Sequence, residues 1–246
     1  MPSLSTGICA GLGVLGAAGL AWGGFAYASR WAASQIFGRT LIAPRLPDEL
    51  ALTFDDGPNP AWTPQLLDIL AARQANATFF LVGKFAQTES ALVHRIADAG
   101  HLIGNHSWSH PNLAQISSRR IREELTRTRD TLEQLIGKSV HFFRPPYGAR
   151  RPITLRIARE LGMKPVTWNA MTNDWEEPSA DRIASNLIAK IEKNQQSGYA
   201  TNIVLHDGSH HGLGANRGPS VHAAQQLLER YSASHNFVTL DAWPSV

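Results

Sequence analysis

Two adjacent carboxylates, Asp55 and Asp56, close the run LTFDDG, and the chain then turns through Gly57 and Pro58. Neighbouring acids repel each other unless a positive group sits against them or one of them takes up a proton. Further on, His106 and His110 in NHSWSH are four residues apart. A helical turn there would put both imidazoles on one side, within reach of a single ion. Alone, that spacing is more often one of surface or capping histidines. With a carboxylate from another part of the chain it becomes a three-ligand His-His-Asp set, which leaves positions open for water and substrate and so suits catalysis. If Asp56 is that carboxylate, the cation is the positive partner the acid pair demands, and Asp55 stays free beside it as a general base. A helix N-cap ahead of Pro58 is the other reading of the pair.

Two further groupings complete the chemistry. Arg144 in RPPYG follows an apolar run and would hold Asp55 ionised and oriented, although a plain surface arginine is the alternative. Asp174 in NDW and His206 in IVLHDG form an acid–imidazole pair. A nearby acid raises an imidazole pKa and keeps the ring protonated, as a general acid for an amine leaving group must be. Asp207 reads as a turn cap, and His210, His211 and His222 read as loop or helix-surface residues, with substrate contact as the alternative. Cys9 is the only cysteine, so a metal here would be held by His and carboxylate, with no disulfide framework.

The elements that must position these groups follow from periodicity. Apolar strand-like runs fall at Leu50 to Phe54, Ala77 to Val82, His101 to Gly104, Val140 to Phe143, Lys164 to Trp168, Asn202 to Leu205 and Phe237 to Leu240. Between them lie helical stretches at Thr63 to Arg73, Thr88 to Ala99, Ser117 to Ile136, Pro152 to Leu161, Ser179 to Asn194 and Pro219 to Tyr231. In the third, Ile121, Leu125, Leu132 and Leu135 recur at helical spacings and Gly137 stands just past the end. Such alternation predicts a parallel sheet covered by helices, as an incomplete seven-stranded barrel or, alternatively, an open doubly wound sheet. No G-x-G-x-x-G or P-loop follows the first strand. In a parallel α/β barrel the reactive residues project from the C-terminal strand ends. Asp55, Asp56, His106, His110, Arg144, Asp174, Trp175 and His206 all fall there.

The 246 residues, 43% apolar and 17% charged, fit one domain of about 200 residues plus an extra segment. Beyond Asp48, 20 basic residues face 19 acidic ones, which excludes the basic stripe of a nucleic-acid binder. Residues 1–29 carry no charged side chain and are long enough to cross a bilayer at about 1.5 Å per residue. An uncleaved membrane anchor and a signal peptide cleaved near Ala26-Tyr27-Ala28 are both open, and either puts the protein in the cell envelope. Arg30, Arg39 and Arg45 follow the segment, so the positive-inside rule pulls the other way. A linker over 30–48 would lead to the catalytic domain, 49–246.

Taken together, TFDDG, HSWSH, RPPYG, NDW and LHDG, in this order and spread over Glu49 to the C-terminus, resemble the polysaccharide deacetylase family, the NodB-homology or carbohydrate esterase family 4 domain. The resemblance implies a distorted (β/α)7 barrel with a divalent ion, usually zinc, sometimes cobalt or manganese. It also implies Asp55 as base, Asp56, His106 and His110 as metal ligands, Arg144 as the residue orienting the base, and His206 as acid tuned by Asp174. The Tyr147 backbone N–H would help stabilise an oxyanion, with Leu205 and Trp175 lining the pocket. The substrate implied is an acetylated glycan, peptidoglycan or a chitin-type oligomer, with O-acetyl xylan or a lipid-linked aminosugar as alternatives and a non-catalytic glycan-binding module as a remote one. One departure stands out: the family's fourth motif often reads D-x-x-D-W, and here Met171 takes the first acid's place. Asp174, the acid assigned to His206, is kept.

Overall fold

A computed structural model describes residues 24, 25 and 27–244. The apolar segment Met1 to Ser29, expected as a membrane or signal helix, lies for the most part outside those residues. No helix among the described residues is long and apolar enough to cross a membrane.

The strands are β1 (Glu49–Gly57), β2 (Thr78–Leu81), β3 (Leu102–Asn105), β4 (Phe142–Phe143), β5 (Lys164–Pro165), β6 (Ala170–Met171), β7 (Thr201–His206) and β8 (Asn236–Phe237). All pairings are parallel, and the order across the sheet is β5-β4-β3-β2-β1-β7-β6, with β8 added at the start of β1. The fold is therefore a curled half-barrel of seven parallel strands, open between β5 and β6. The expected distorted barrel holds in this coarser form. Its seventh stave differs: β6, two residues long, takes that place, while the run Phe237 to Leu240 contributes only the short edge β8.

Among the described residues, seven helices cover the outer face: α1 (Thr63–Ala72), α2 (Gly83–Thr88), α3 (Ser90–Asp98), α4 (Ser118–Ile136), α5 (Pro152–Glu160), α6 (Ala180–Gln196) and α7 (Gly218–Tyr231). The amphipathic pattern expected of α4 buries Ile121, Leu125 and Leu132. The Ser117 hydroxyl accepts the Arg120 N–H at its start, and Gly137 ends it in the left-handed conformation that a residue lacking Cβ adopts freely.

Period-two alternation divides each strand between two cores. Leu50, Leu52 and Phe54 of β1, with Phe79, Leu81, Ile103, Phe143, Ile203 and Leu205, join the helices in the larger core. The intervening residues face the concave side, where Ala51, Phe80, Phe142 and Val166 form a smaller core. Above that floor, Thr53, Asp55, His106, Arg144, Asn202, Val204 and His206 follow in register toward the C-terminal strand ends. Alternation thus places the reactive groups on one wall.

The stretch from Arg30 to Asp48, expected as a linker, is bolted to this domain. Leu41 bridges Val166, and the Thr40 and Thr167 hydroxyls meet at 2.9 Å. The buried guanidinium of Arg150 donates to the carbonyls of Trp31 (2.7 Å), Ser34 (2.8 Å) and Gly148 (2.8 Å).

Candidate active site

The adjacency of Asp55 and Asp56 poses a geometric problem, because a regular strand sends neighbouring side chains to opposite faces. The chain solves it with a bulge. Asp55 pairs with Phe80 and Gly57 with Leu81, so Asp56 is skipped in the β1–β2 register, and its φ is 69°. A bulge re-aims a side chain, and here it turns Asp56 back to the concave side beside Asp55. The turn is locked from β7. A Cβ on Gly208 would lie 2.0 Å from the Asp56 carbonyl oxygen, and one on Gly57 would lie 2.6 Å from the Asp207 carboxylate. The glycines of DDG and HDG are therefore set by close approach.

The histidine pair is positioned differently from expectation. Residues between His106 and His110 form no helical turn; positive φ angles at Ser107 (65°) and His110 (60°) fold the loop back on itself. Hydrogen bonds hold this shape. Asn105 accepts the Ser107 N–H at 2.8 Å and donates to the Leu125 carbonyl of α4 at 2.9 Å. The Ser107 hydroxyl accepts the His110 N–H, and the buried Glu124 accepts from the N–H and hydroxyl of Ser109. Four of the five non-glycine residues with positive φ among the described residues (Asp56, Ser107, His110 and Tyr147) belong to this site. Such conformations cost about 1–3 kcal/mol each and persist where the surroundings enforce them.

The result is a buried convergence of three ligand types. One ligand atom each from Asp56, His106 and His110 lies within 4.8 Å of the others. His110 Nε2 is 3.1 Å and His106 Nε2 3.6 Å from Asp56 Oδ1, yet that oxygen is buried with no hydrogen bond. His106 Nδ1 lies 2.8 Å from the Arg144 carbonyl, which can only accept, so the proton sits on Nδ1 and the Nε2 lone pair faces the cluster. A carbonyl that accepts from the other ring nitrogen fixes the tautomer and orientation of a ligating imidazole. Burial pulls the His106 pKa down to about 4, against the opposing charge of Asp55, which leaves the ring neutral. Burial alone would raise the Asp56 carboxyl, but the neighbouring imidazoles of His110, His210 and His206 outweigh it and hold the group well below the usual carboxylate range. An orphaned carboxylate oxygen facing an imidazole lone pair fits a divalent cation.

On either side stand the other two groupings. Arg144, fully buried, donates through Nη1 to Asp55 Oδ1 and Thr53 Oγ1, both at 2.7 Å, and through Nη2 to Asn202 Oδ1 at 3.2 Å. Its guanidinium lies 4.2 Å over the Phe80 ring. Across the cavity, His206 Nδ1–H donates to Asp174 Oδ1 at 2.9 Å, while the His206 backbone N–H and the Ser220 hydroxyl donate to Asp174 Oδ2. Burial would lower the His206 pKa, but the charge and hydrogen bond of Asp174 overcome it and raise the pKa to about 9.

A family model for polysaccharide deacetylases matches residues 43–166, about half of the chain. The chain belongs to the polysaccharide deacetylase family. A peptidoglycan-N-acetylglucosamine deacetylase of Bacillus cereus is 44% identical over 140 residues, an alignment spanning 57% of this chain and 51% of that relative. A chitooligosaccharide deacetylase of Azorhizobium caulinodans is 34% identical over 175 residues, 71% of this chain and 80% of the relative. Among solved structures, the Bc1960 peptidoglycan N-acetylglucosamine deacetylase superposes with a TM-score of 0.74 at 35% identity, covering 82% of this chain and 90% of that one. A pseudoenzyme from Bacillus anthracis, 24% identical with a TM-score of 0.73 over 83% of this chain and 68% of its own, shares the fold as well.

In this family member, Asp55, Asp56, His106, His110, Tyr147, Trp175 and His206 line one cavity of about 610 Å³. Arg144 and Asp174 stand behind Asp55 and His206. Among the described residues, nothing accepts the Tyr147 backbone N–H, and Trp175 lies edge-on to the His206 ring at 5.1 Å. Leu205 is not brought to the cavity: strand alternation turns it into the helix-side core, and Val204 lines the wall instead. His210, expected as a loop or surface residue, sits in the site, stacked on His110 at 4.3 Å. Thr53, Asn202 and Ser220 were hidden from motif reading, although period-two alternation from Asp55 and His206 points to the first two.

Proposed function

We propose that this protein is a metal-dependent deacetylase that removes the N-acetyl group from N-acetylglucosamine units of peptidoglycan or chitin-type oligomers and releases acetate. One observation carries the reading: Asp55, fixed by Arg144, and His206, paired with Asp174, face one cavity that also holds the cluster of Asp56, His106 and His110. A retained set of these groups argues against a binding module that has lost turnover.

Asp56, His106 and His110 would hold the ion, with zinc the first candidate and cobalt or manganese alternatives. When bound, the ion supplies Lewis acidity, polarising a carbonyl oxygen and easing the deprotonation of water. Asp55, fixed by Arg144, takes a proton from the water whose oxygen bonds to the acetyl carbon. The Tyr147 N–H donates to the oxygen on which negative charge develops. His206 gives its proton to the sugar nitrogen as the C–N bond breaks, so the products are acetate and a free amine. Trp175 and Tyr147, both partly exposed at the cavity mouth, offer flat surfaces for a sugar ring. The uncharged residues 1–29 support placement in the cell envelope, by anchor or after secretion.

The test is acetate release from N-acetylglucosamine oligomers and peptidoglycan, compared with O-acetylated xylan, after chelation and re-addition of single metals. Metal-restored release from the amide substrates is expected. No release with any metal would overturn the reading.

A further inference from the structure

The loop after β7 brings His210 against two ligands at once. Its ring lies nearly parallel to His110, with centroids 4.3 Å apart and planes 18° apart. His210 Nδ1 is 3.4 Å from Asp56 Oδ2, the carboxylate oxygen turned away from His106 and His110. His210 Nε2 is 3.1 Å from the Tyr147 hydroxyl. Lys84 Nζ donates to the His210 carbonyl at 3.3 Å, and the His211 ring lies tilted against His210 at 4.0 Å.

Donor and acceptor logic fixes the direction of this chain. A carboxylate only accepts, so His210 Nδ1 carries the proton and donates to Asp56 Oδ2. In the neutral imidazole Nε2 then has the lone pair and accepts from the Tyr147 hydroxyl. The sequence Tyr147 O–H, His210, Asp56 is thus a continuous relay of hydrogen bonds that engages one carboxylate oxygen and leaves Oδ1 without a partner, aimed at the cluster.

We propose that His210 is a positioning residue for the metal centre: its hydrogen bond to Oδ2 holds Asp56 in a one-oxygen ligating pose and ties that pose to Tyr147 on the opposite loop. The inference rests on the reading of Asp56, His106 and His110 as ligands and adds a residue outside that set. The His106 ring is held separately, through Nδ1, by the Arg144 carbonyl, and the Ser107 hydroxyl holds the His110 backbone N–H. Among the described residues the Asp56 carboxylate has no other hydrogen bond to fix its rotation about its last bond, and hydrogen bonds from neighbouring groups are what orient such ligands.

The test uses the full chain and Zn2+ alone, with affinity read by competition against a chromophoric chelator. Loss of an outer-shell partner typically weakens metal affinity by about 10–100-fold, so His210→Ala should fall in that range. His210→Phe keeps a ring to stack on His110 but no donor and should be as weak as alanine. His210→Asn keeps an N–H near the Nδ1 position and should stay within about threefold of wild type, a small fraction of the outer-shell range. Wild-type affinity in the alanine or phenylalanine variant, or an asparagine variant no better than alanine, overturns the proposal. Absence of Zn2+ binding by the wild-type chain would instead overturn the ligand reading beneath it. Thermal unfolding of the chelated variants separates misfolding from lost positioning, and the asparagine variant, which perturbs the loop least, keeps the comparison decisive.

Discussion

Arg144 at the end of β4 holds Asp55 at the end of β1 at 2.7 Å, although β3 and β2 stand between those strands in the sheet. In a flat sheet three strand spacings amount to about 14 Å, beyond the reach of any side chain. The curl of the half-barrel closes that distance, so the contact is a direct product of the fold. The same guanidinium reaches Thr53 and, on the far side of β1, Asn202 of β7.

Arg144→Lys tests whether this fork orients the base. A single ammonium cannot satisfy Thr53, Asp55 and Asn202 together, and misplacement of a reacting group by about 1 Å can lower the rate about 100-fold. A fall of that order in kcat/KM is expected. Zn2+ affinity should persist, because His106 is held by the Arg144 backbone carbonyl, which the substitution leaves in place. Unchanged turnover would remove Arg144 from its assigned role.

The His206–Asp174 pair predicts the alkaline limb of activity. A general acid works only while protonated, and the charge of Asp174 outweighs burial to hold His206 up at about 9. Activity is therefore expected to survive through neutral pH and to be lost as pH rises through about 9. In Asp174→Asn only the weaker charges of Asp56 and Asp55 still oppose burial, and the limb should move down toward the ordinary imidazole value of about 6.5. A pH–kcat profile of the two proteins reads this directly; superimposable alkaline limbs would exclude His206 as the acid.

The ligands and the acid–base pairs were legible because they lie in short motifs at strand ends, where a parallel barrel collects its reactive groups. The strand bounds were readable wherever apolar runs were long, as in β1 and β7. β6 was not, because Ala170–Met171 is two residues long and too short for any period to register. Leu205, a pocket residue by the family resemblance, faces the helix-side core, because strand alternation gives the cavity wall to its neighbours Val204 and His206. His210 escaped because it lies in GSHHGLG, a run without periodicity. Its position is set by the contact of Gly208 with the Asp56 backbone, a tertiary event. The strap before β1 was read as a linker for the same reason, since the buried bonds of Arg150 to Trp31 and Ser34 leave no local mark.

Asp207 supplies a stability prediction independent of turnover. It is buried, Oδ1 has no partner, and Oδ2 accepts from the Thr63 hydroxyl. Burial raises its pKa to about 7, so between about 4 and 7 the folded chain binds a proton that the unfolded chain has released. The stability associated with that proton is complete at acid pH and is lost as pH rises through about 7. Asp207→Asn removes this titration. Its melting temperature, measured on chelated protein, should rise more steeply between about pH 5 and 6.5 than that of wild type, because burial holds His101 and His106 down at about 4, which makes stability grow with pH over this window, and Asp207 opposes that growth. Parallel curves would show that Asp207 is ionised throughout.

Metal removal should disable the site without unfolding the chain. The loop bearing His110 is held by Asn105, Ser107 and Glu124, and the bulge at Asp56 by the packing of Gly208; neither depends on an ion. Chelated protein should therefore keep a cooperative thermal transition. An ion that binds only the folded state at a thousandfold excess over its Kd adds about 4 kcal/mol. For a chain of this size each kcal/mol raises Tm by about 2–4 °C, so re-addition should lift Tm by about 8–16 °C. His110→Ala deletes one of three ligands and should abolish most of that rise while leaving the chelated Tm within a few degrees of wild type. A rise undiminished in His110→Ala would mean that the ion is held elsewhere.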